Sequence, residues 1–208
     1  MVISERKSRE IGRKIAILDR SFAEVVAAFA PSPIGTSRPR SSNFESLARS
    51  ILAQQLSTKA ARTISGRVAE LAGGRLDSKK IEKLSLAKLR SAGCSNSKAR
   101  SLLELSEAVN SGEIRIRELN RMSDLEIETV LLPLHGIGKW TIEMFLIFQL
   151  GRQDIWPVGD LGVRRGWEKI HRLDTEIDLP ELSAKGSKFA PYRSHLAWYC
   201  WRAHDLYV

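Results

Sequence analysis

The sequence predicts an all-α protein, and three observations carry that expectation. Apolar residues return at spacings of three and four; serine and aspartate stand ahead of those periodic runs, and glycine follows them; the strict alternation of a strand is not seen. With 208 residues, 43% of them hydrophobic, the chain can bury a sizeable core as one large domain or two small lobes.

The elements follow in order. A first helix is expected near Arg9 to Phe29. The Pro-, Ser- and Gly-rich stretch SPIGTSRPRSSN, Ser32 to Asn43, then reads as a linker. Residues 1–43 are therefore expected to form a helix and linker that pack back on the C-terminal part, and residues 44–208 the core. Ser42 with Glu45 is a capping-box pattern opening Phe44 to Gln55, and Ser57 can cap a second helix ending at Gly73 and Gly74. Ser78 and Ser85 can start two short helices, with Gly93 after the second, and Ser95 or Ser97 precedes KARSLLELSEAV before Gly112. Ser123 with Glu126 is another capping box. It opens LEIETVLL, which stops near Pro133, so a hairpin loop falls before a helix starting near Lys139; the whole hairpin spans about 124–150. Another helix starts at Asp160, and a last one runs from about Pro191 to His204.

Charge and cysteine content narrow the function classes. A formal charge of +9 attracts polyanions, nucleic acid first among them. The N-terminus, MVISERKSREIGRK, has charges where a signal peptide needs an apolar stretch, and the longest apolar run is far below membrane-spanning length. A soluble, non-exported monomer without a membrane partner is expected. Its setting would be cytoplasmic and nucleoid-associated in a prokaryote, or nuclear in a eukaryote. Cys94 and Cys200 lack a second pair for a zinc or iron–sulfur site and read as small buried hydrophobes. His171, His195 and His204 lack metal-ligand spacing.

The loop PLHGIGK is the first feature with chemistry in it. Gly136 and Gly138 can take positive φ or lie close to another backbone, and the next helix presents unpaired N–H groups at its start. A phosphate there would meet amide donors, the positive helix end and Lys139. The same glycines also serve as plain punctuation between packed helices, and spacing alone leaves both readings open. Asp160, in WPVGDLGVRRG, is a helix N-cap, and capping N–H groups favour the ionised carboxylate.

The wider pattern is more specific. LLPLHGIGKWTIEMFLIFQLG followed by RQDIWPVGDLGVRRG resembles the helix-hairpin-helix DNA glycosylase superfamily, and within it the 3-methyladenine DNA glycosylase II branch. ILAQQLSTKAARTISGRV, SKARSLLELSEAV and PYRSHLAWYCWR extend the likeness over about Phe44 to Arg202. The resemblance implies a two-lobed helical fold with a cleft between the lobes. It also implies Asp160 as the catalytic carboxylate of a monofunctional enzyme that hydrolyses the N-glycosidic bond of alkylated purines, such as 3-methyladenine and 7-methylguanine, in double-stranded DNA. Strand-cutting members carry a Schiff-base lysine where this chain has Trp140, and Lys139 lies one residue early, about 100° around the helix.

By the same likeness, Trp140, Met144 and Phe189 would line the base pocket. Gly136, Ile137, Gly138, Lys139 and Thr141 would hold the strand, and Gln54, Gln55, Leu56 and Ser57 would form the DNA-binding turn from which one side chain, Gln55 or Leu56, fills the gap of a flipped base. Phe189 stands where a tryptophan is usual before PYRS, and Met144 where some relatives have an aromatic. No cofactor is required, but the carbonyls of Leu132, Leu134 and Ile137 would be the site of a Na+ or K+ ion. His135, where relatives often have proline or lysine, reads as an exposed loop residue. The alternative from another class is a non-catalytic helix-hairpin-helix module that binds DNA structure and recruits repair partners; a bifunctional glycosylase/lyase is the third reading.

Overall fold

Among residues 2–206, which the computed structural model describes, all regular secondary structure is helical. The chain divides into two compact units, one formed by Met1–Arg38 with Leu146–Val208, the other by Pro39–Phe145. No helix among the described residues is long and apolar enough to cross a membrane.

The second unit holds α3 (Asn43–Ala53), α4 (Thr58–Leu71), α5 (Ser78–Ile81), α6 (Leu86–Ser91), α7 (Asn96–Ser111), α8 (Asp124–Leu131) and α9 (Lys139–Met144). The caps read from the sequence set most of these boundaries: Ser42, Ser57, Ser85, Ser95 and Ser123 each accept an N–H from three residues on. Of the two capping-box patterns, Ser123–Glu126 closes fully and Ser42–Glu45 does not. At Ser42 the expected reciprocal contact is replaced, because the Glu45 carboxylate pairs with Arg49 and Arg75. Asp77, rather than Ser78, caps α5, and Gly112 ends α7 in the left-handed conformation. Leu47, Ile51 and Leu52 of α3 and Leu102 and Leu105 of α7 are fully buried, which follows from their three- and four-residue spacing.

The first unit joins α1 (Glu5–Leu18) and α2 (Ala23–Ala28) to α10 (Leu161–His171), α11 (Leu179–Gly186) and α12 (Arg193–Leu206). The single helix expected from Arg9 to Phe29 is broken. Asp19 takes extended backbone angles and its carboxylate accepts the Ser21 N–H, so a 3-10 turn at Arg20–Phe22 separates α1 from α2. Ile11 and Ile15 of α1, Phe22, and Trp167, Phe189 and Tyr199 from the C-terminal part share one apolar cluster. Helix α11 has no counterpart in the sequence reading, although Asp178 as N-cap, Pro180 in the first turn and Glu181 all signal it.

Helices α10 and α12 approach backbone to backbone. A Cβ added at Gly166 would lie 1.8 Å from the Cys200 carbonyl oxygen, and one at Gly162 would lie 2.9 Å from Trp201 Cδ1. These two glycines stand four residues apart on one helical face, so α12 can approach α10 closely at both positions. Sequence spacing predicts that groove once the partner helix is known.

Candidate functional site

The hairpin is α8, the turn through Leu132–Gly138, and α9. Gly136 is the position that demands glycine: its φ is +74°, and a Cβ there would stand 2.1 Å from Ser101 Oγ on α7. Gly138 does not demand it. Its φ of −97° suits any residue, and a Cβ would meet nothing within 4 Å, so the space ahead of α9 is open. Lys139 is exposed beside it.

Hydrogen bonds tie that turn to the QQLS loop. Gln54 Nε2 donates to the Gly136 carbonyl (2.8 Å) and to Thr141 Oγ1 (2.9 Å), while Lys98 Nζ donates to the carbonyls of Leu52 (2.9 Å) and Gln54 (2.6 Å) at the end of α3. Burial pulls the Lys98 ammonium below its ordinary range. With α3 stopped in this way, Gln55 is thrown into the left-handed region at φ +56°, and Gln55 and Leu56 project as an exposed tip before Ser57 caps α4. His135 lies on the surface, its ring within 3.2 Å of Ser97 Oγ and its N–H donating to Glu104.

In the other unit, Asp160 caps α10. Its backbone N–H donates to the Pro157 carbonyl (2.9 Å) and its Oδ1 accepts from Val163 N–H (2.9 Å) and from the Trp201 indole N–H (2.8 Å). The segment leading to it is clamped by the start of α12. Arg193 grips Asp154 with two bonds of 2.8 Å, the Ser194 N–H reaches the Gln153 carbonyl (3.0 Å), and Ser194 Oγ accepts from Ile155 N–H (2.9 Å). The PYRSH run therefore acts as a buckle on the loop that carries Asp160. The Phe148 ring, half exposed, lies 5.4 Å from that of Trp201 at a 31° tilt.

The model of HhH-GPD superfamily base excision DNA repair proteins matches residues 48–191. Over 193 residues the chain is 34% identical to DNA-3-methyladenine glycosylase 1 of Schizosaccharomyces pombe, covering 91% of this chain and 84% of that protein. The chain belongs to the HhH-GPD superfamily. Its fold is that of the S. pombe 3-methyladenine DNA glycosylase (Mag1) solved with abasic DNA, at a TM-score of 0.84 and 31% identity over 94% of this chain and 95% of that one. It is also similar to a DNA-3-methyladenine glycosidase from Bacillus halodurans (TM-score 0.76, 33% identity, 91% and 87% of the two chains).

Against this superfamily frame, several residues expected at the site have other work. Phe189 is 0% exposed, edge-on to Phe22 and Trp167 inside the apolar cluster, so it has no face for a base. Met144 is buried too, as are Thr141 and Ile137. Gln54 holds the hairpin rather than facing outward. Trp140 stays half buried at the start of α9, and Gln55, Leu56, Ser57, Gly136, Gly138 and Lys139 are exposed. Both cysteines are buried and free, their thiols pushed up by burial, as small hydrophobes would be. No cluster of three or more His, Cys, Asp or Glu able to hold a metal exists among the described residues.

Trp201 and Lys98 are the contributors that the sequence did not point to. Trp201 is 41 residues from Asp160, and Lys98 is 44 from Gln54, so no local spacing links either pair.

Proposed function

We propose that this chain is a monofunctional DNA glycosylase that releases alkylated purines, 3-methyladenine and 7-methylguanine among them, from double-stranded DNA. The observation that carries the reading is that the Asp160 carboxylate, which the motif resemblance matches to the superfamily's catalytic aspartate, is held by hydrogen bonds from Val163 and Trp201 on a buckled loop. Its support is the 34% identity to a protein named for 3-methyladenine excision and the 0.84 TM-score to one solved with abasic DNA.

In this reaction the bond from deoxyribose C1′ to the base nitrogen breaks, and the base leaves with the electron pair. Positive charge grows on the sugar, and water adds to C1′ with loss of a proton. A fixed carboxylate stabilises that charge and orients the water. The base of an alkylated purine is cationic before it leaves, so aromatic faces select it by stacking and cation–π attraction, each worth about 1–2 kcal/mol in a dry site. Trp140 is the candidate face that remains after Phe189 is assigned to the core. It also occupies the position where strand-cutting relatives need lysine, and the exposed Lys139 precedes it on α9.

Access to a base in duplex DNA requires flipping it out. The exposed Gln55–Leu56 tip is the candidate for the group that fills the gap, Gln55 by its left-handed projection and Leu56 by its apolar side chain at 39% exposure. The open space at Gly138, the exposed Lys139 and the turn before them are the candidate phosphate grip, which fixes a strand without reading its sequence. A Na+ or K+ ion would be held by the carbonyls of Leu132, Leu134 and Ile137; of these, the Leu134 oxygen accepts the Ile137 N–H at 3.1 Å and keeps a second lone pair. Such an ion would add a positive charge beside the phosphate grip.

The test is to incubate the protein with methylated duplex DNA, resolve released bases by chromatography, and assay strand breaks before and after alkali. Free methylpurine with breaks only after alkali is the expected result. Breaks without alkali would show a lyase, and tight DNA binding with no base release would show a non-catalytic module.

A further inference from the structure

We propose that Trp201 is a positioning residue for Asp160: its indole N–H holds the carboxylate in one orientation without neutralising it. This rests on the reading of Asp160 as the catalytic carboxylate. A helix cap by itself needs only the backbone bond from Val163, and Asp160 Oδ1 has that bond at 2.9 Å. The second donor comes from another helix, at 2.8 Å, and the fold makes room for it at both ends.

Gly166 lets the Cys200 backbone touch α10, which sets the register of α12 so that the next residue, Trp201, lies beside the start of α10. Gly162 then leaves space for the indole, since a Cβ there would stand 2.9 Å from Trp201 Cδ1 and 3.2 Å from Asp160 Oδ1. Phe148 braces the ring at 5.4 Å. Asp160 and Trp201 are thus joined by a constructed contact, in which two glycines give up side chains to bring one N–H to one oxygen.

The chemistry explains why the donor is an indole. Lysine or arginine in its place would pair with the carboxylate and set a full positive charge near a sugar that is itself becoming cationic. An indole N–H only donates and carries no net charge, so it fixes geometry and leaves the carboxylate's charge to the transition state.

The experiment uses the whole chain. Trp201→Phe keeps a ring against Phe148 and removes the donor. Its single-turnover excision of methylpurine should fall roughly ten- to a hundredfold, the scale of a lost hydrogen bond to a charged group, while its Kd for duplex DNA with an abasic-site analogue stays within about twofold of the parent, a near-neutral effect. A second measurement is independent of activity. In Asp160→Ala, the Trp201 indole N–H cross-peak, one of five from the five tryptophans, should move upfield and exchange faster with solvent. Unchanged excision in Trp201→Phe, or an unmoved cross-peak in Asp160→Ala, would overturn the inference. The functional reading has its own marker: if Asp160→Asn excises normally, that reading has failed, whatever Trp201 does.

Discussion

The hairpin with its QQLS loop and the loop that carries Asp160 solve the same problem by different means. Each must hold an irregular backbone in one shape. In the hairpin unit the holding is done by half-buried polar side chains: Gln54 and Lys98 donate to carbonyls of Gly136, Leu52 and Gln54, and the turn keeps its outward side open at Gly138. Around Asp160 it is done by close packing of α10 on α12, with the Arg193–Asp154 pair and Ser194 fastening the approach. On the proposed function, the hairpin must meet many DNA sequences and needs fixed backbone donors, while the Asp160 carboxylate meets one kind of atom and needs a fixed side chain.

This contrast predicts that glycine-to-alanine changes differ sharply by region. The largest effect belongs to Gly166→Ala, where the new Cβ meets backbone rather than a movable side chain. Overpacking of that kind should cost about 3 kcal/mol or more, read as a fall in the urea midpoint. A variant with unchanged stability would show that α10 and α12 are not held by direct backbone approach.

The pH dependence of the packed unit comes next. Burial lowers the His195 imidazole from 6.5 to about 4, so the folded state favours the neutral ring. A group whose folded pKa is depressed stabilises above its unfolded pKa. The contribution of His195 is therefore complete above pH 6.5 and is lost as pH falls toward 4, on the order of 3 kcal/mol at full size. Asp19 acts in a lower window. Burial pushes its carboxyl up, but hydrogen bonds from His171, the Ser21 N–H and Lys188 outweigh that and hold it at about 2, so its contribution is lost between about pH 3.8 and 2. Urea unfolding across pH 7 to 4 should show the first loss, and His195→Gln should flatten it; an equally steep fall in the variant would remove His195 as its source.

The hairpin glycines give the smallest changes in stability and the clearest internal control. Gly136→Ala meets both a positive φ and Ser101, and should cost about 2 kcal/mol, part of it recovered by Ser101→Ala. Gly138→Ala should leave stability within about 0.5 kcal/mol, because its backbone is ordinary and its surroundings are open. Any loss of DNA affinity in Gly138→Ala, measured by fluorescence anisotropy, then reports contact with the strand. Unchanged affinity would mean that the strand does not press against the Gly138 Cα.

What was legible in the sequence was local. Ser42, Ser57, Ser85, Ser95 and Ser123 marked helix starts because a cap and its N–H lie three residues apart. The order of hairpin, aspartate and PYRS marked the family, and Asp160 landed on the cap expected of it. The break at Asp19 was hidden because apolar spacing continues across it, and α11 because its apolar face is short. An aromatic before PYRS has the same appearance in the sequence whether it faces a base or, like Phe189, packs against Phe22 and Trp167. Trp201 and Lys98 act over 41 and 44 residues of chain, a distance at which no sequence period operates.

The central claim is that the Asp160 carboxylate performs base release, and Asp160→Asn tests it most directly. Asparagine is as good an N-cap as aspartate, and its side-chain carbonyl can still accept from Val163 and Trp201, so the fold and the loop should survive. Binding of abasic-site DNA should remain within about threefold of the parent, while single-turnover release of methylpurine should fall by roughly a hundredfold or more, the effect of losing a preorganised charge at the transition state. Release at the parent's rate by a well-folded Asp160→Asn protein would contradict the account.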